Sequence, residues 1–182
     1  KKLSEEQVEK YGNPSKGHIE YLLNKALELA EKFKKADKDA IKLAVYLLDI
    51  RLGKCLHENK IKNHSKEGGE AARDFLKKFD LEDSFREKII NCVESHHAEC
   101  SFKSIEAEIC ANADCYPFIH PKGFFEKLMS CGKKREGLKE SLEFLNSKLD
   151  EKWNILSLDI CKKDLKGYYK TFKKLIADTE IL

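Results

Sequence analysis

Residues 40–50 have the sequence AIKLAVYLLDI, and within this run only Lys42 and Asp49 are not hydrophobic. A helix that is apolar on nearly every side is typical of the centre of a packed helical domain. Asp49 then needs a partner, because an isolated buried carboxylate costs several kcal/mol. Candidate partners are spread along the chain: His18, His64, His96, His97 and Asp114. This set of histidines and aspartates predicts an internal metal site.

The composition excludes several classes of protein. The 182 residues suit one domain, or a core domain with an extension, and 41% of them are hydrophobic, which is enough for a core. The 35 Lys and Arg nearly balance the 32 Asp and Glu, leaving a net charge of +3, so nucleic-acid binding is not expected. No run of 18 apolar residues predicts a membrane span. The first residues, KKLSEEQVEK, lack the apolar centre of a signal peptide, and we therefore expect a cytoplasmic protein.

The seven cysteines are odd in number and contain no C-x-x-C pair. Several fall within the apolar stripes of predicted helices. This pattern favours buried free thiols in a reducing compartment over disulfides or a zinc cluster.

The pattern of apolar residues predicts an all-α protein, because no alternating β-branched runs occur. Five core helices are expected at about 15–33, 38–54, 64–79, 82–97 and from the cap Ser104 to about 118. Asp37 is the expected N-cap of the second helix, and Gly53 is expected near its end, followed by a loop to Asn63. The third helix is expected to bury Gly68, Ala72, Phe75, Leu76 and Phe79.

The domain organisation predicted from these patterns is a helical core, residues 1–120, and a helical C-terminal extension, residues 121–182, packed on that core. A short helix is expected around 124–129. Two longer amphipathic helices are expected around 138–153 and 165–176, where leucine and aromatic residues recur at helical spacing.

Three stretches carry a resemblance to a known family: AVYLLDI (44–50), NHSKEGGEAARDFL (63–76) and ESHHAECSFKSIEAEICANAD (94–114). Together with the order of the histidines and aspartates on five helices, they resemble the HD-domain superfamily of metal-dependent phosphohydrolases over about residues 15–120. The resemblance implies a five-helix core. The His-Asp doublet that names the family would occupy Leu48-Asp49, so its His is replaced here by Leu48, a side chain that cannot bind a metal.

The resemblance also implies roles for the candidate residues. Asp49 would be the catalytic residue and the key metal ligand, and it would bridge if two metals bind. His18 and Asp114 would complete the primary site, and His64 and His97 (or His96) would hold a second metal or contact substrate phosphate. Such ligands suit a divalent ion, namely Mn, Mg, Fe, Ni, Co or Zn. Four nearby lysines could attract an anionic substrate: Lys54, Lys60, Lys62 and Lys66.

Each of these residues also has a purely structural interpretation. Asp49 could pair with Arg51 or Lys42, and Asp114 could cap a helix or pair locally. A histidine pair at a helix C-terminus is electrostatically favourable whatever its function. His57 and His120 have no counterpart in the family pattern and are expected at the surface, although His57 could in principle replace the lost ligand.

Two functions of different classes follow. The first is a metal-dependent phosphohydrolase of the HD type, a hydrolase that attacks a nucleotide or other small phosphoester with a metal-activated water. The second is a degenerate, non-catalytic HD domain that binds a ligand or a partner, which Leu48 favours. A third hypothesis, an RNA-associated helical protein, is poorly supported by the near-neutral net charge.

Overall fold

The computed structural model describes residues 1–98, 100–132 and 137–179. Within these residues every regular element is a helix, so the all-α prediction is confirmed. The chain divides into two compact units, Lys1–Ala113 and Asp114–Leu182. The predicted domain boundary after residue 120 stays a prediction.

The first unit contains six whole helices, the beginning of a seventh and a short 3₁₀ turn at Ile61–Asn63. The helices are α1 (Lys2–Tyr11), α2 (Lys16–Ala30), α3 (Lys38–Leu48), α4 (Leu52–His57), α5 (His64–Leu76), α6 (Asp83–Ser95) and α7 (Ile105–Ile119). The second unit holds the end of α7 with α8 (Pro121–Gly132), α9 (Leu138–Ile155) and α10 (Asp159–Thr179).

Helix α3 is the centre of the first unit, as its apolar sequence predicts. It packs against α2, α5 and α6, and Ala40, Ile41 and Ala44 are fully buried. Asp37 caps its start, because the carboxylate Oδ1 accepts hydrogen bonds from the backbone N–H groups of Asp39 (3.1 Å) and Ala40 (3.0 Å). The predicted N-cap is confirmed, and it sets where the central helix begins.

The predicted end of this helix at residue 54 is wrong. Helix α3 ends at Leu48, and Asp49 has left the helical conformation with φ −104° and ψ 24°. The following segment, predicted to be a loop, contains α4. Apolar residues continue across the break, so periodicity alone does not separate the two helices. The consequence is that Asp49 lies at the end of α3 rather than along its side.

Gly53 lies inside α4 and does not end a helix. A Cβ atom at this position would lie 2.5 Å from Tyr11 Cβ and 2.6 Å from the Asn13 carbonyl oxygen. The glycine is therefore required for close packing between α4 and the residues at the end of α1. Helix α1 itself was absent from the sequence-based prediction.

Two glycines on α5 allow it to approach α6 closely. A Cβ on Gly68 would lie 3.3 Å from Val93 Cγ1, and a Cβ on Gly69 would lie 2.4 Å from Glu94 Cγ. The prediction that Phe79 is buried is wrong, because α5 ends at Leu76 and the Phe79 side chain beyond it is 49% exposed. The close packing places the start of α5 beside the end of α6.

The second unit is built from α8, α9 and α10, with α9 packed against both of the others. The predicted helices at 138–153 and 165–176 lie within α9 and α10. Their apolar stripes are buried at Leu145, Leu149 and Leu165. The rings of Phe124 and Phe172 stack with centroids 3.9 Å apart.

The seven cysteines, all among the described residues, form no disulfide, and all except Cys100 are buried, as the positions of several in apolar stripes predict. Among the residues that the structure describes, no helix has both the length and the hydropathy needed to cross a bilayer.

Candidate metal centre

Three histidines surround the Asp49 carboxylate, one on α2, one at the start of α5 and one just after the end of α6. His18 Nε2 lies 3.5 Å from Asp49 Oδ2, whereas His64 Nε2 and His96 Nε2 lie 3.7 Å and 3.6 Å from Asp49 Oδ1. All four side chains are at most 10% exposed. The two carboxylate oxygens therefore face different imidazoles, one oxygen toward α2 and the other toward α5 and α6.

The orientation of two of these imidazoles is set by the backbone. His64 Nδ1 lies 2.7 Å from the carbonyl oxygen of Ile61, and His96 Nδ1 lies 2.6 Å from that of Val93. A carbonyl oxygen can only accept, so each Nδ1 must carry the proton. When the ring is neutral, the lone pair of Nε2 is directed toward Asp49, and when the ring is protonated, Nε2–H donates toward it. Metal-bound histidines characteristically have this arrangement, with the remote nitrogen donating to a carbonyl or carboxylate.

When the rings are neutral, these donors need a positive charge among them, which a proton on an imidazole or a bound ion would supply. Nε2 lone pairs and a carboxylate repel one another, and the carboxylate also lies at the C-terminal, negative end of α3. Their separations of 3.5 to 3.7 Å exceed the roughly 2.7–3.2 Å of an ordinary hydrogen bond. They are close to the ~3.4 Å distance between ligands of a tetrahedral ion with bonds of about 2.1 Å. Imidazole and carboxylate donors so arranged fit a divalent metal ion.

The pKa of Asp49 reflects the same surroundings. Burial by itself would raise the pKa of the carboxyl group, but the neighbouring His18 and His96 imidazoles outweigh burial and hold the pKa well below its usual range. Asp49 is consequently ionised at neutral pH and available as a negatively charged ligand.

Both histidines of the adjacent pair belong to this cluster. His97 is half-buried, and its ring makes edge contacts with His64 (centroids 4.7 Å apart) and with His96 (4.5 Å). One nitrogen from each of the three rings lies within 4.8 Å of the others. The ligand set predicted from the sequence named His97, and the structure adds His96, which is 1% exposed and faces Asp49.

A signal for His96 was present in the sequence. Ile89, Cys92, Val93 and His96 follow the spacing i, i+3, i+4 and i+7, so His96 continues the buried stripe of α6, and the first three are fully buried. Its neighbour His97 falls outside that stripe.

Asp114 has a different environment. It begins the second unit, on α7, and its Oδ2 accepts a hydrogen bond from Lys152 Nζ on α9 at 2.5 Å. The two side chains are 5% and 1% exposed. Burial alone would lower the pKa of Lys152, but the Asp114 charge outweighs burial and raises it, so the lysine stays protonated. Lys152 was not predicted as a site residue, although it continues the buried stripe of Leu145 and Leu149 at i+7.

The remaining candidates are less closely tied to the cluster. Lys54 and Lys60 both pair with Glu58, at 3.7 Å and 3.5 Å, so part of their charge is neutralised. Lys62 and Lys66 are exposed. His57 is exposed and has its ring 6.4 Å from that of Tyr11, and His120 packs against Tyr168. Leu48, at the position of the family's doublet histidine, is 1% exposed and belongs to the apolar core.

Comparisons with known proteins agree with this architecture. The HD-domain family model matches residues 16–117 of the chain. The crystal structure of a predicted HD superfamily hydrolase from an uncultured Thermotogales bacterium is similar, with a TM-score of 0.67 and 16% identity. The match covers 99% of this chain and 88% of that one. At this identity the similarity shows a shared fold. No curated protein matches.

Proposed function

Because the chain belongs to the HD-domain family, we propose that it is a metal-dependent phosphohydrolase that acts on a nucleotide or other small phosphoester. The observation that carries this proposal is the arrangement around Asp49. A buried, ionised carboxylate faces three imidazoles, two of which have the remote nitrogen held by a backbone carbonyl. Family membership alone would leave open whether this chain has kept a usable site.

The proposed ligands of the metal are Asp49, His18, His64, His96 and His97. Asp114 is retained as a further ligand on the resemblance of its sequence segment to the family pattern. When bound, a divalent ion lowers the pKa of water and polarises a phosphoryl oxygen. Because its two oxygens lie near different imidazoles, Asp49 would suit a carboxylate shared by two ions if two are bound.

The residues of the chain contribute orientation and charge. The hydrogen bonds to Ile61 and Val93 fix the tautomer of His64 and His96, so little reorganisation is needed when the Nε2 atoms bind. Burial of the cluster strengthens electrostatic interactions inside it. Lys62 and Lys66, on either side of His64 in sequence, supply exposed positive charge for a phosphorylated substrate.

Metal content provides the first test. We expect purified protein, dialysed against Mn²⁺, Zn²⁺, Ni²⁺ or Fe²⁺ and then freed of excess ion, to retain metal in elemental analysis. Asp49→Asn should retain almost none, because it removes the negatively charged carboxylate that His18, His64 and His96 face. His57→Gln is the matched control, since it changes a histidine outside the cluster. If the wild type and Asp49→Asn retain equal and negligible amounts of metal, the proposal is wrong.

Activity provides the second test. The metal-loaded wild type should hydrolyse members of a panel of nucleoside monophosphates and other phosphomonoesters, with phosphate release measured colorimetrically. His64→Gln and His96→Gln should lose most of this activity, and His57→Gln should keep it. If the wild type holds metal tightly but releases no phosphate from any member of a broad panel, the protein is not a phosphohydrolase of this class.

A second candidate function is a degenerate HD domain that binds a ligand or partner without catalysis. Leu48 is the observation that favours it, because an apolar core residue stands where the family has a metal-binding histidine. In that case Leu48→His should gain both metal and phosphatase activity that the wild type lacks. A wild type that is already active, with Leu48→His no better, would exclude the degenerate interpretation.

A further inference from the structure

The carboxylate of Asp114 is already neutralised within the second unit. Lys152 Nζ lies 2.5 Å from its Oδ2, and both side chains are almost completely buried. The ammonium also lies 5.3 Å from the ring centroid of Phe118, a distance at which a cation is attracted to an aromatic face. Contacts on two sides therefore fix the position of the lysine head group.

We infer that the Lys152 ammonium competes with a divalent ion for the Asp114 carboxylate and thereby weakens metal binding at Asp114. This inference rests on the proposed function, in which Asp114 is a metal ligand. It assigns to Lys152 a role as a charge competitor that tunes the affinity of the site for metal.

Two physical effects support the direction of this influence. The lysine occupies one carboxylate oxygen with a charge-assisted hydrogen bond, which is shorter and stronger than a neutral one. It also places a positive charge within a few ångströms of any ion that Asp114 binds. Like charges this close in a poorly screened environment repel by enough to change an affinity by about tenfold or more.

The test compares divalent-ion binding in the wild type and four variants by titration calorimetry with Mn²⁺ and Zn²⁺ at neutral pH. Lys152→Met removes the charge but keeps an unbranched apolar stem, and it should bind at least about tenfold more tightly than the wild type. Lys152→Arg keeps the charge and should bind like the wild type. Asp114→Asn combined with Lys152→Met should lose the gain. Lys148→Met, the same substitution on the same helix in a partly exposed pair with Glu151, should change nothing.

Circular dichroism establishes that each variant is folded, and thermal unfolding gives a second readout that does not depend on activity. Added Mn²⁺ should raise the melting temperature of Lys152→Met by more than it raises that of the wild type, because an ion that binds more tightly stabilises more. If Lys152→Met is too unstable to titrate, Lys152→Gln serves in its place, with the same expected gain.

The outcomes separate this inference from the proposed function. If the wild type binds metal through the histidine cluster and Lys152→Met binds it equally or more weakly, the inference is wrong and the proposed function stands. If the wild type and every variant, including Lys152→Met, bind no metal, the proposed function fails and the inference fails with it.

Discussion

Asp49 and Asp114 are both buried aspartates, one in each compact unit, but they are neutralised in different ways. Asp49 faces imidazoles at 3.5 to 3.7 Å, with the Nε2 lone pairs of two of them directed at it when those rings are neutral. Asp114 receives a short hydrogen bond from the ammonium of Lys152. In the first arrangement the carboxylate faces imidazole nitrogens, whereas in the second it pairs directly with an ammonium.

This difference shows that burial of a carboxylate does not by itself identify a metal site. A buried acid paired with lysine is electrostatically complete, since the pair compensates most of the desolvation of its two charges. A buried acid that faces several imidazole nitrogens can instead share a divalent ion with them, as the proposed function requires. The comparison therefore separates Asp49, the key ligand in the family pattern, from Asp114, which would complete the primary site.

The largest expected effect is the loss of stability when Lys152, the partner of Asp114, is replaced. Lys152→Met in metal-free protein should lower the free energy of unfolding by about 3–5 kcal/mol, because it leaves a buried carboxylate without its cation. Urea denaturation monitored by circular dichroism measures this change. The double variant with Asp114→Asn should recover a substantial part of the loss. If the unfolding free energy of the single variant falls by less than about 1 kcal/mol, the Asp114–Lys152 pair contributes little to stability.

On the Asp49 side, the effect should appear in metal binding. Asp49→Asn should weaken Mn²⁺ or Zn²⁺ binding by at least about 100-fold, since loss of a direct ligand exceeds the 10–100-fold typical of an outer-shell change. In metal-free protein it should destabilise less than Lys152→Met does, because asparagine leaves neutral imidazoles rather than a stranded charge. Calorimetric titration and urea denaturation test the two parts. An unchanged dissociation constant would contradict the assignment of Asp49.

A smaller effect is expected when the close packing of α5 on α6 is disturbed. Gly69→Ala would place a Cβ atom 2.4 Å from Glu94 Cγ, so Glu94 and its contact with Arg73 must move. We expect a loss of about 1–3 kcal/mol in unfolding free energy and several-fold weaker metal binding, since His64 lies on the same helix. Gly17→Ala on α2 is the control, with open space around the new methyl group, and should stabilise by about 0.5–1 kcal/mol. Equal effects of the two substitutions would contradict the close packing of α5 on α6.

The smallest effect concerns a third aspartate, Asp150, whose side chain is 46% exposed. Hydrogen bonds from Lys173 and Tyr169 lower its pKa, and these outweigh the opposite effect of burial. Its contribution to stability is therefore present above about pH 4, the usual pKa of an aspartate in an unfolded chain, and is lost as the pH falls through its lower folded value. Because water screens this site, Asp150→Asn should change stability by less than about 1 kcal/mol at pH 7. Urea denaturation at pH 7 and below pH 4 measures the difference in unfolding free energy between the variant and the wild type. A difference that grows toward low pH would contradict the prediction.

The spacing of apolar residues was enough to predict the helical class and the centre of the first unit. Helix α3 is apolar on nearly all sides, so its burial depends on composition more than on exact bounds. The end of α3 was not predictable in this way, because apolar residues continue through Ile50 and Leu52 into α4. The break between the two helices matters because it places Asp49 at a helix end.

The residues of the candidate site were also predictable from the sequence only in part. Local patterns and the resemblance identified Asp49, His18, His64 and His97 as candidates. His96 continued the stripe of α6 and was predictable from periodicity as buried, but the structure was needed to show that its Nε2 faces Asp49. Lys152 likewise continues an apolar stripe, on α9, which predicts that it is buried. The spacing does not identify its partner, because Asp114 lies 38 residues earlier in the chain.

By itself the sequence determined that the chain is helical, that residues 40–50 are central, and that histidines and aspartates occur in an order typical of one family. These features depend on side-chain chemistry and on periodicity, which are local properties of a chain. Only the tertiary structure decided which nitrogen faces which oxygen, that the two Asp49 oxygens face different histidines, and that Asp114 is paired with Lys152. Those contacts arise from packing between helices distant in sequence, and their electrostatic consequences depend on distances of a few tenths of an ångström that no local pattern encodes.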